Sequence, residues 1–573
     1  MKSKLEQARK HHQAGRVGRA RDLYRKILKR EPKNPEALFQ YGSLMYQNGQ
    51  PEAARDIFEH ATSMAPGLPV FHAALGEILR QLGQMKAAEK SLSAALTLNP
   101  GDKVTRTNLA LCFMEQGELV KAHQAFAEAL DIDPTFAPAL RSLALVVQMM
   151  GDRGHSQDDM DRVIKTYDKA VAARPDNPEA LANMALAFHG LGKFEAVIGV
   201  CERVLRLAPH HFAARNTLGS ALLNLDRVDE AIAAFQKAIE GHDGIGDTHF
   251  NLATAFHRNQ RYSEALAAYE RAADLMANDP TVHLAIGNLC NSSANFERAA
   301  EAFARALELD GAVFEAHSGL GQALTRLGRT DEAKAAYARA LEIDPDDAAA
   351  QFALEALGQE PVAAAPADYV SELFDKMAPG FDTELRDHLH YRTPELLREA
   401  VASVLADERP AWTVADLGCG TGLCGPLFRG LAARMIGTDL SSGMIERAKE
   451  RGVYDELRIE ALEDTLAGAG QAFDLVLAAD VFVYIGDLDS VFGVCAKALR
   501  EGGYFAFSTE DLTGGDFSIN RAMRFAHSQD YITGLAGKHD FEVVVADKAE
   551  IRTEAEKPIV GGIYVLRLAR DRR

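Results

Sequence analysis

The sequence predicts a multidomain protein in which an all-helical repeat superhelix precedes an α/β domain built on a parallel sheet. Three observations carry that reading. A 34-residue recurrence of small, bulky and proline residues runs to about residue 346. After Asp368 short apolar runs separated by helix-length segments replace it. The glycine-rich stretch Asp416-Leu417-Gly418-Cys419-Gly420-Thr421-Gly422 lies where the first of those runs meets a helix.

The recurrence is visible first in the glycines Gly15, Gly49, Gly83, Gly117 and Gly151, each 34 residues after the last. A second series, Ala8, Gly42, Gly76, Ala110 and Ala144, then Ala185, Gly219, Ala253, Gly287 and Gly321, keeps the period with one seven-residue slip, which gives ten units. Nine residues after the loop glycine stands a mostly bulky position, occupied in turn by Tyr24, Phe58, Leu92, Phe126, Tyr167, Cys201, Phe235, Tyr269, Phe303 and Tyr337. Most units close on a proline such as Pro32, Pro66 or Pro345. Small residues where two helices cross, a large one filling the gap and a proline stopping the second helix are what an antiparallel helix pair needs to stack on the next. Residues 1–346 thereby resemble the tetratricopeptide repeat family. Residues 347–358, including Ala348 to Leu357, form an amphipathic helix suited to capping the last apolar face. The slip, Gly151 to Arg162, reads as a polar lengthening of one inter-helix turn.

Such arrays usually exist for their concave surface, so a protein or peptide partner is expected there. Asn108, Asn183 and Asn251, each two positions before the small crossing residue, would offer side-chain amides to an extended backbone; solvated groove positions are the alternative.

Residues 359–367, QEPVAAAPA, read as a linker, and 368–573 as the α/β domain. The runs TVADLGCG, RMIGTDL, ELRIEAL, FDLVLAAD and GGYFAFSTE are its strands. Alternating glycines after the first strand let a backbone approach a nucleotide-like ligand. The nicotinamide fingerprint is not met, because Leu423 occupies the position of its third glycine. Asp439, ending the second strand, can accept hydrogen bonds from two ribose hydroxyls.

DLGCGTG, the strand-end Asp439, FDLVLAAD and Leu499-Arg500-Glu501-Gly502-Gly503 before a strand together resemble the class I S-adenosylmethionine-dependent methyltransferases. YVSELFDKMAPGFD, HYRTPELL and AADVFVYIGDL resemble bacterial proteins that fuse tetratricopeptide repeats to that domain. The resemblance implies a Rossmann-like seven-stranded sheet with its last strand antiparallel, and S-adenosyl-L-methionine as cofactor. It places Asp416, Gly418, Cys419, Gly420, Gly422, Asp439 and Leu440 around methionine and ribose. Met444, Leu462 and Glu463 fall near the adenine, and Asp480 at the cofactor or the acceptor. It implies that Phe374, Phe381 and Tyr391 fold over the pocket. Asp480 and Tyr484 after the fourth strand, with His527 and Arg524 after the fifth, would meet the substrate. His527 is the candidate base because imidazole titrates near neutrality, and Arg524 and Tyr391 are candidate substrate-binding residues.

Composition narrows the remaining classes. The 573 residues are 47% hydrophobic and 25% charged, with net charge -19, and both halves are acidic, so nucleic acid is not an expected partner. The six cysteines have no paired spacing, no metal ligand set is suggested, and neither a leader nor a run of about 18 apolar residues is found, which predicts a cytoplasmic protein without membrane insertion. The expected function is methyl transfer from S-adenosylmethionine to a protein or peptide recruited by the repeats. Two alternatives stand beside it: a small carboxylate or phenol as acceptor, or a cofactor-binding scaffold without catalysis.

Overall fold

A computed structural model describes residues 2–152, 156–358, 362–383, 385, 389–405, 411–554 and 557–569. The chain divides into two compact units, Met1–Leu275 and Met276–Arg573.

Among the described residues the first unit is eight antiparallel helix pairs, from Lys2–Gln13 with Val17–Arg30 to Gly246–Arg258 with Tyr262–Leu275. Where the small crossing residue is glycine, at Gly42, Gly76 and Gly219, it meets the predicted bulky residue. A Cβ built on Gly42 would stand 2.5 Å from the Phe58 ring, and one on Gly219 2.6 Å from Phe235. The glycines let the rings enter the crossing, and Tyr24, Phe58, Leu92, Phe126, Tyr167, Cys201 and Phe235 are buried there. Polar side chains start many of the first helices: Asn34 accepts from Ala37 N, Asp102 from Val104 N and Asn177 from Glu179 N. Between paired helices the backbone is left-handed at Gly15, Gly49, Gly83, Gly117 and Gly192, and Asp226 and Gln260 keep that conformation without glycine's freedom.

The fifth pair differs from the expected polar turn. Its helices are Ala137–Asp152, 16 residues against 13 for Lys103–Glu115, and Gln157–Ala173, 17 against 14 for Leu119–Ile132. Most of the insertion is therefore helix. Ser156 caps the second helix by accepting from Asp159 N, and Asp158 and Asp159 favour its positive end. Residues 153–155 of the expected turn lie outside those described.

The second unit begins with two more pairs, Pro280–Ser292 with Phe296–Leu309 and Phe314–Leu327 with Thr330–Ile343, then the helix Ala348–Ala356. Phe352 of that helix packs against Tyr369 of the helix Ala367–Met377, ring centroids 5.1 Å apart. Arg326 pairs with Glu554 at 3.0 Å. The end of the repeat array is thus packed against the α/β domain.

That domain holds β1 Trp412–Leu417, β2 Ala432–Asp439, β3 Glu456–Ile459, β4 Phe473–Ala478, β5 Leu499–Asp511, β6 Phe517–Ile519, β7 Phe525–His527, β8 Phe541–Glu554 and β9 Lys557–Leu568. Strands β3, β2, β1, β4 and β5 run parallel in that order; β9 pairs antiparallel with both β5 and β8. This is the seven-stranded Rossmann-like sheet with an antiparallel last strand. The short β6–β7 hairpin is an addition, joined through β7 to the end of β5. Phe492, Phe505, Phe507 and Phe541 pack one face of the sheet, and Leu397, Phe428, Met435 and Val565 the other. Among the described residues no helix is long and apolar enough to cross a membrane.

Gly219→Ala is expected to lower the thermal midpoint of the repeats, an overpacking cost of about 1–3 kcal/mol. The double variant Gly219→Ala/Phe235→Leu should recover part of the loss, read by circular dichroism melting.

Candidate active site

Strand β1 has β2 on one side and β4 on the other, so the chain crosses over in opposite directions from it and leaves a crevice at the strands' carboxyl ends. The glycine turn leaves β1 into that crevice. Gly418 is left-handed, φ 58°, and a Cβ there would lie 2.6 Å from Val481 Cγ2, so backbone alone fits. The Gly420 amide donates to Asp439 Oδ2 at 2.9 Å and the Ser441 amide to Oδ1 at 2.9 Å. Burial pushes the Asp439 pKa up, against those amides. Asp416 is 1% exposed and accepts a hydrogen bond from the Tyr454 hydroxyl at 2.6 Å. Burial raises its pKa to about 7, opposed by that hydrogen bond.

A cavity of about 310 Å³ opens over the turn. Asp416, Gly418, Cys419, Gly420, Asp439 and Leu440 line it, and Leu462 and Glu463 form part of the wall beside them. Phe374, Phe381 and Tyr391 close it from the segment before β1. Phe374 meets Phe381 and Tyr484 edge to face, at 5.8 and 5.4 Å. Asp375 accepts from Ser441 Oγ and the Gly443 amide, and Asp382 pairs with Arg451 and accepts from Thr421 Oγ1. These contacts fasten the covering segment to the β1 and β2 turns.

Two expected cofactor residues are not in the wall. Gly422 faces Tyr454, whose ring would stand 2.9 Å from an added Cβ. Met444 is fully buried in the packing face of helix Ser442–Arg451. His527 is a third correction. It lies in β7, is fully buried, and does not line the cavity. Its Nε2–H donates to the Gly486 carbonyl at 3.0 Å, and burial lowers its pKa to about 4, so the ring is neutral and turned into the fold.

The other half of the cavity is lined by Tyr391, Asp480, Tyr484, Arg524 and Arg552. Asp480 lies two residues past the β4 end and is held left-handed, φ 59°, with its amide donating to Ser508 Oγ at 2.9 Å. Its Oδ2 accepts from Arg552 at 2.7 Å, whereas its buried Oδ1 has no hydrogen-bond partner among the described residues. Burial works against the charge on Arg552, but Asp480 and Glu510 on either side raise its pKa. Arg524 pairs with Glu554 at 3.2 Å and comes within 3.8 Å of Glu510. Burial raises the pKa of both Tyr391 and Tyr484.

Sequence reasoning missed Arg552 and Glu510. Arg552 is 72 residues from Asp480 and belongs to no motif; a buried arginine in a strand that otherwise alternates is the only available sign. It also missed the linker's part. Residues 359–361 lie outside those described, but the Ala365 amide donates to the Tyr484 carbonyl at 2.9 Å, the Ala363 carbonyl accepts from Gly486 N at 2.7 Å, and Ala364 and Ala365 line the cavity. In the repeats Asn108, Asn183 and Asn251 are half-buried on first helices of their pairs. Asn183 donates to the Glu179 carbonyl at 2.8 Å and Asn251 to Asn216 Oδ1 at 3.3 Å, so one donor of each is already engaged. Among the described residues no group of three or more His, Cys, Asp or Glu side chains is placed to hold a metal.

Known families match both parts. Residues 415–507 match the methyltransferase domain, and residues 216–281 and 292–348 the tetratricopeptide repeat. Residues 1–174 match the cilia and flagella-associated protein 70 C-terminal domain, and 156–238 match anaphase-promoting complex, cyclosome, subunit 3. The chain therefore joins tetratricopeptide repeats to a methyltransferase domain. Over 163 residues it is 35% identical to the ubiquinone biosynthesis O-methyltransferase of Methylobacterium sp. (strain 4-46), covering 27% of this chain and 60% of that protein. Over 105 residues it is 37% identical to the protein of that name from Chelativorans sp. (strain BNC1), covering 18% and 41%. The chain thus spans three fifths or less of the length of these relatives. A solved structure described as a putative S-adenosylmethionine dependent methyltransferase from Listeria monocytogenes is 20% identical, with TM-score 0.26, covering 30% of this chain and 98% of that one.

A carboxyl group whose pKa is higher folded than unfolded stabilises below its unfolded pKa and loses that contribution as pH rises through the folded value. Asp416 should therefore make the melting temperature of the α/β domain fall between about pH 4 and pH 7, a span set by its ordinary and its raised pKa. Asp416→Asn is expected to flatten that fall in calorimetric scans across the same range.

Proposed function

We propose that this cavity binds S-adenosyl-L-methionine and supports transfer of its methyl group to an acceptor held beside Tyr391, Asp480 and Tyr484. The carrying observation is the Gly420 amide on the Asp439 carboxylate, in the wall of a cavity at the carboxyl ends of β1 and β2. The residues fit the cofactor. Each Asp439 oxygen keeps a lone pair for a ribose hydroxyl, backbone alone lines the turn at Gly418, and Leu440 and Leu462 offer apolar surface for a base beside Glu463. Asp416, behind the turn, is suited to an ammonium group, whose charge would favour the ionised carboxylate. When bound, S-adenosyl-L-methionine supplies a methyl group on cationic sulfur.

The chain's own part is alignment, exclusion of water and removal of a proton. Phe374, Phe381 and Tyr391 cover the reacting region, and the rings can orient a flat acceptor. The free Oδ1 of Asp480 can accept the acceptor's proton, while Arg552 on Oδ2 holds the carboxylate in place. Tyr484, with its pKa raised, serves as a neutral hydrogen-bond donor. Arg524 at the same wall suits a carboxylate or phenolate, although Glu554 shares its charge.

The relatives' name, O-methyltransferase, supports an oxygen acceptor, and the aromatic wall supports a small phenol or carboxylate. A second reading, a protein acceptor brought in by the repeats, is favoured by the repeats themselves, since tethering raises the local concentration of a docked substrate. Removing residues 1–275 distinguishes them: small-acceptor turnover should survive, and protein methylation should collapse.

Isothermal titration with S-adenosyl-L-methionine and with its demethylated product tests the reading directly. Saturable binding is expected, with at least tenfold weaker affinity for Asp439→Ala and unchanged affinity for His527→Gln. No binding by folded protein would favour the scaffold reading.

A further inference from the structure

The average charge of the chain conceals a reversal at its start. Residues 1–33 hold 12 Lys and Arg against 3 Asp and Glu, while the remaining 540 residues hold 51 against 79. These basic residues fall on the first helix pair, Lys2–Gln13 and Val17–Arg30, and the loop after it. Arg16, Arg19, Lys26, Lys29, Arg30 and Lys33 are exposed. Among the described residues of this stretch, only Arg9 and Arg21 have a carboxylate within ion-pair distance, on Glu36 and Asp22.

In three later repeats the corresponding positive charge is compensated. Arg227, Arg261 and Arg329 each precede the second helix of their pair and bind a glutamate three residues on, Glu230, Glu264 and Glu332. In the first pair the same two places are Arg16 and Arg19. Both charges sit at the positive end of a 14-residue helix whose first turn has no acidic residue. The helix dipole opposes them there, so the arrangement gains only from an external anion.

We propose that the exposed surface of this first helix pair docks an acidic segment of a partner polypeptide. The inference rests on the reading that the repeats bind protein and is independent of methyl transfer. A helix of 14 residues is about 21 Å long, which an extended segment of roughly six or seven residues would span. Three observations favour a polypeptide over other polyanions. The stretch has no Phe or Trp and its one Tyr, Tyr24, is fully buried, so none of these three rings is available to stack on a nucleic-acid base. Among the described residues no exposed large hydrophobic side chain precedes Met64, so the patch offers charge without the apolar anchors of a bilayer-bound helix. The strongly acidic remainder of the chain repels a polyanion that extends beyond the patch, whereas a short acidic segment is confined to it.

The test uses the full chain without cofactor and a fluorescein-labelled octaglutamate peptide, followed by fluorescence anisotropy, with an octalysine peptide as control. Saturable binding of octaglutamate alone is expected, weakened at least tenfold between 50 and 200 mM salt. The triple variant Arg19→Glu, Lys26→Glu, Arg30→Glu should lose at least tenfold in affinity, and Lys86→Glu, in another repeat, should lose none. The triple glutamine variant of the same positions, checked by circular dichroism, covers the case in which charge reversal disturbs the fold. Equal affinity in wild type and triple variants, or no binding, overturns the proposal. Tighter binding to a 12-nucleotide single-stranded DNA or to vesicles of anionic lipid overturns it in favour of nucleic acid or membrane. If octaglutamate binds but no protein partner or acceptor depends on residues 1–275, the surface stands and the substrate-recruitment reading fails.

Discussion

The hydrogen bond from the Gly420 amide to the Asp439 carboxylate joins the turn after β1 to the end of β2, and the cavity is arranged around it. It forms because Gly418 and Gly420 take left-handed backbone that a side chain would resist, which turns the amide toward the neighbouring strand. The Ser441 amide holds the other oxygen and starts helix Ser442–Arg451, so one carboxylate orients a turn, a strand end and a helix. Asp375 then reaches the same helix start from the covering segment. The aromatic cover is therefore fastened to the elements that form the floor.

A second set of charges organises the opposite wall. Arg552 lies between Asp480 and Glu510, and Arg524 between Glu510 and Glu554. Such a buried group is tolerated only while its partners remain, since removing one would leave an unpaired charge in low dielectric. Glu554 also accepts from Arg326 of the last repeat pair, and the segment from Ala363 to Ala365 is hydrogen-bonded to the turn after β4. The end of the repeats is thus part of the same hydrogen-bonded structure as the cavity wall.

The repeats rest on a simpler rule, a ring inserted where two helices cross over glycine or alanine. The rule tolerates change around it, because only the crossing and the turn are sterically defined. Asp226, Gln260 and Ala294 replace the loop glycine without altering the turn, and most of the seven-residue insertion lengthens the two helices of the fifth pair. Surface charge is free to vary under this rule, which is how the first pair can be basic in an acidic chain.

Features whose cause is local were legible in the amino-acid order. Helix pairing follows from a 34-residue spacing, the strands from short apolar runs, and the glycine-turn half of the cavity from DLGCGTG and Asp439, because each depends on residues near one another along the chain. Met444 and Gly422 stand within the same short stretches, yet their direction depends on packing against Tyr454 and the helix face, which spacing does not reveal. His527 shows the limit most clearly: a histidine after the fifth strand suggests a base, but the hairpin that buries it forms only when β7 pairs with β5. Arg552, Glu510 and the cavity-lining alanines of the linker were likewise decided by tertiary structure. Their neighbours are tens of residues away or more, and burial, which sets both their charge and their partners, is a property of the assembled fold.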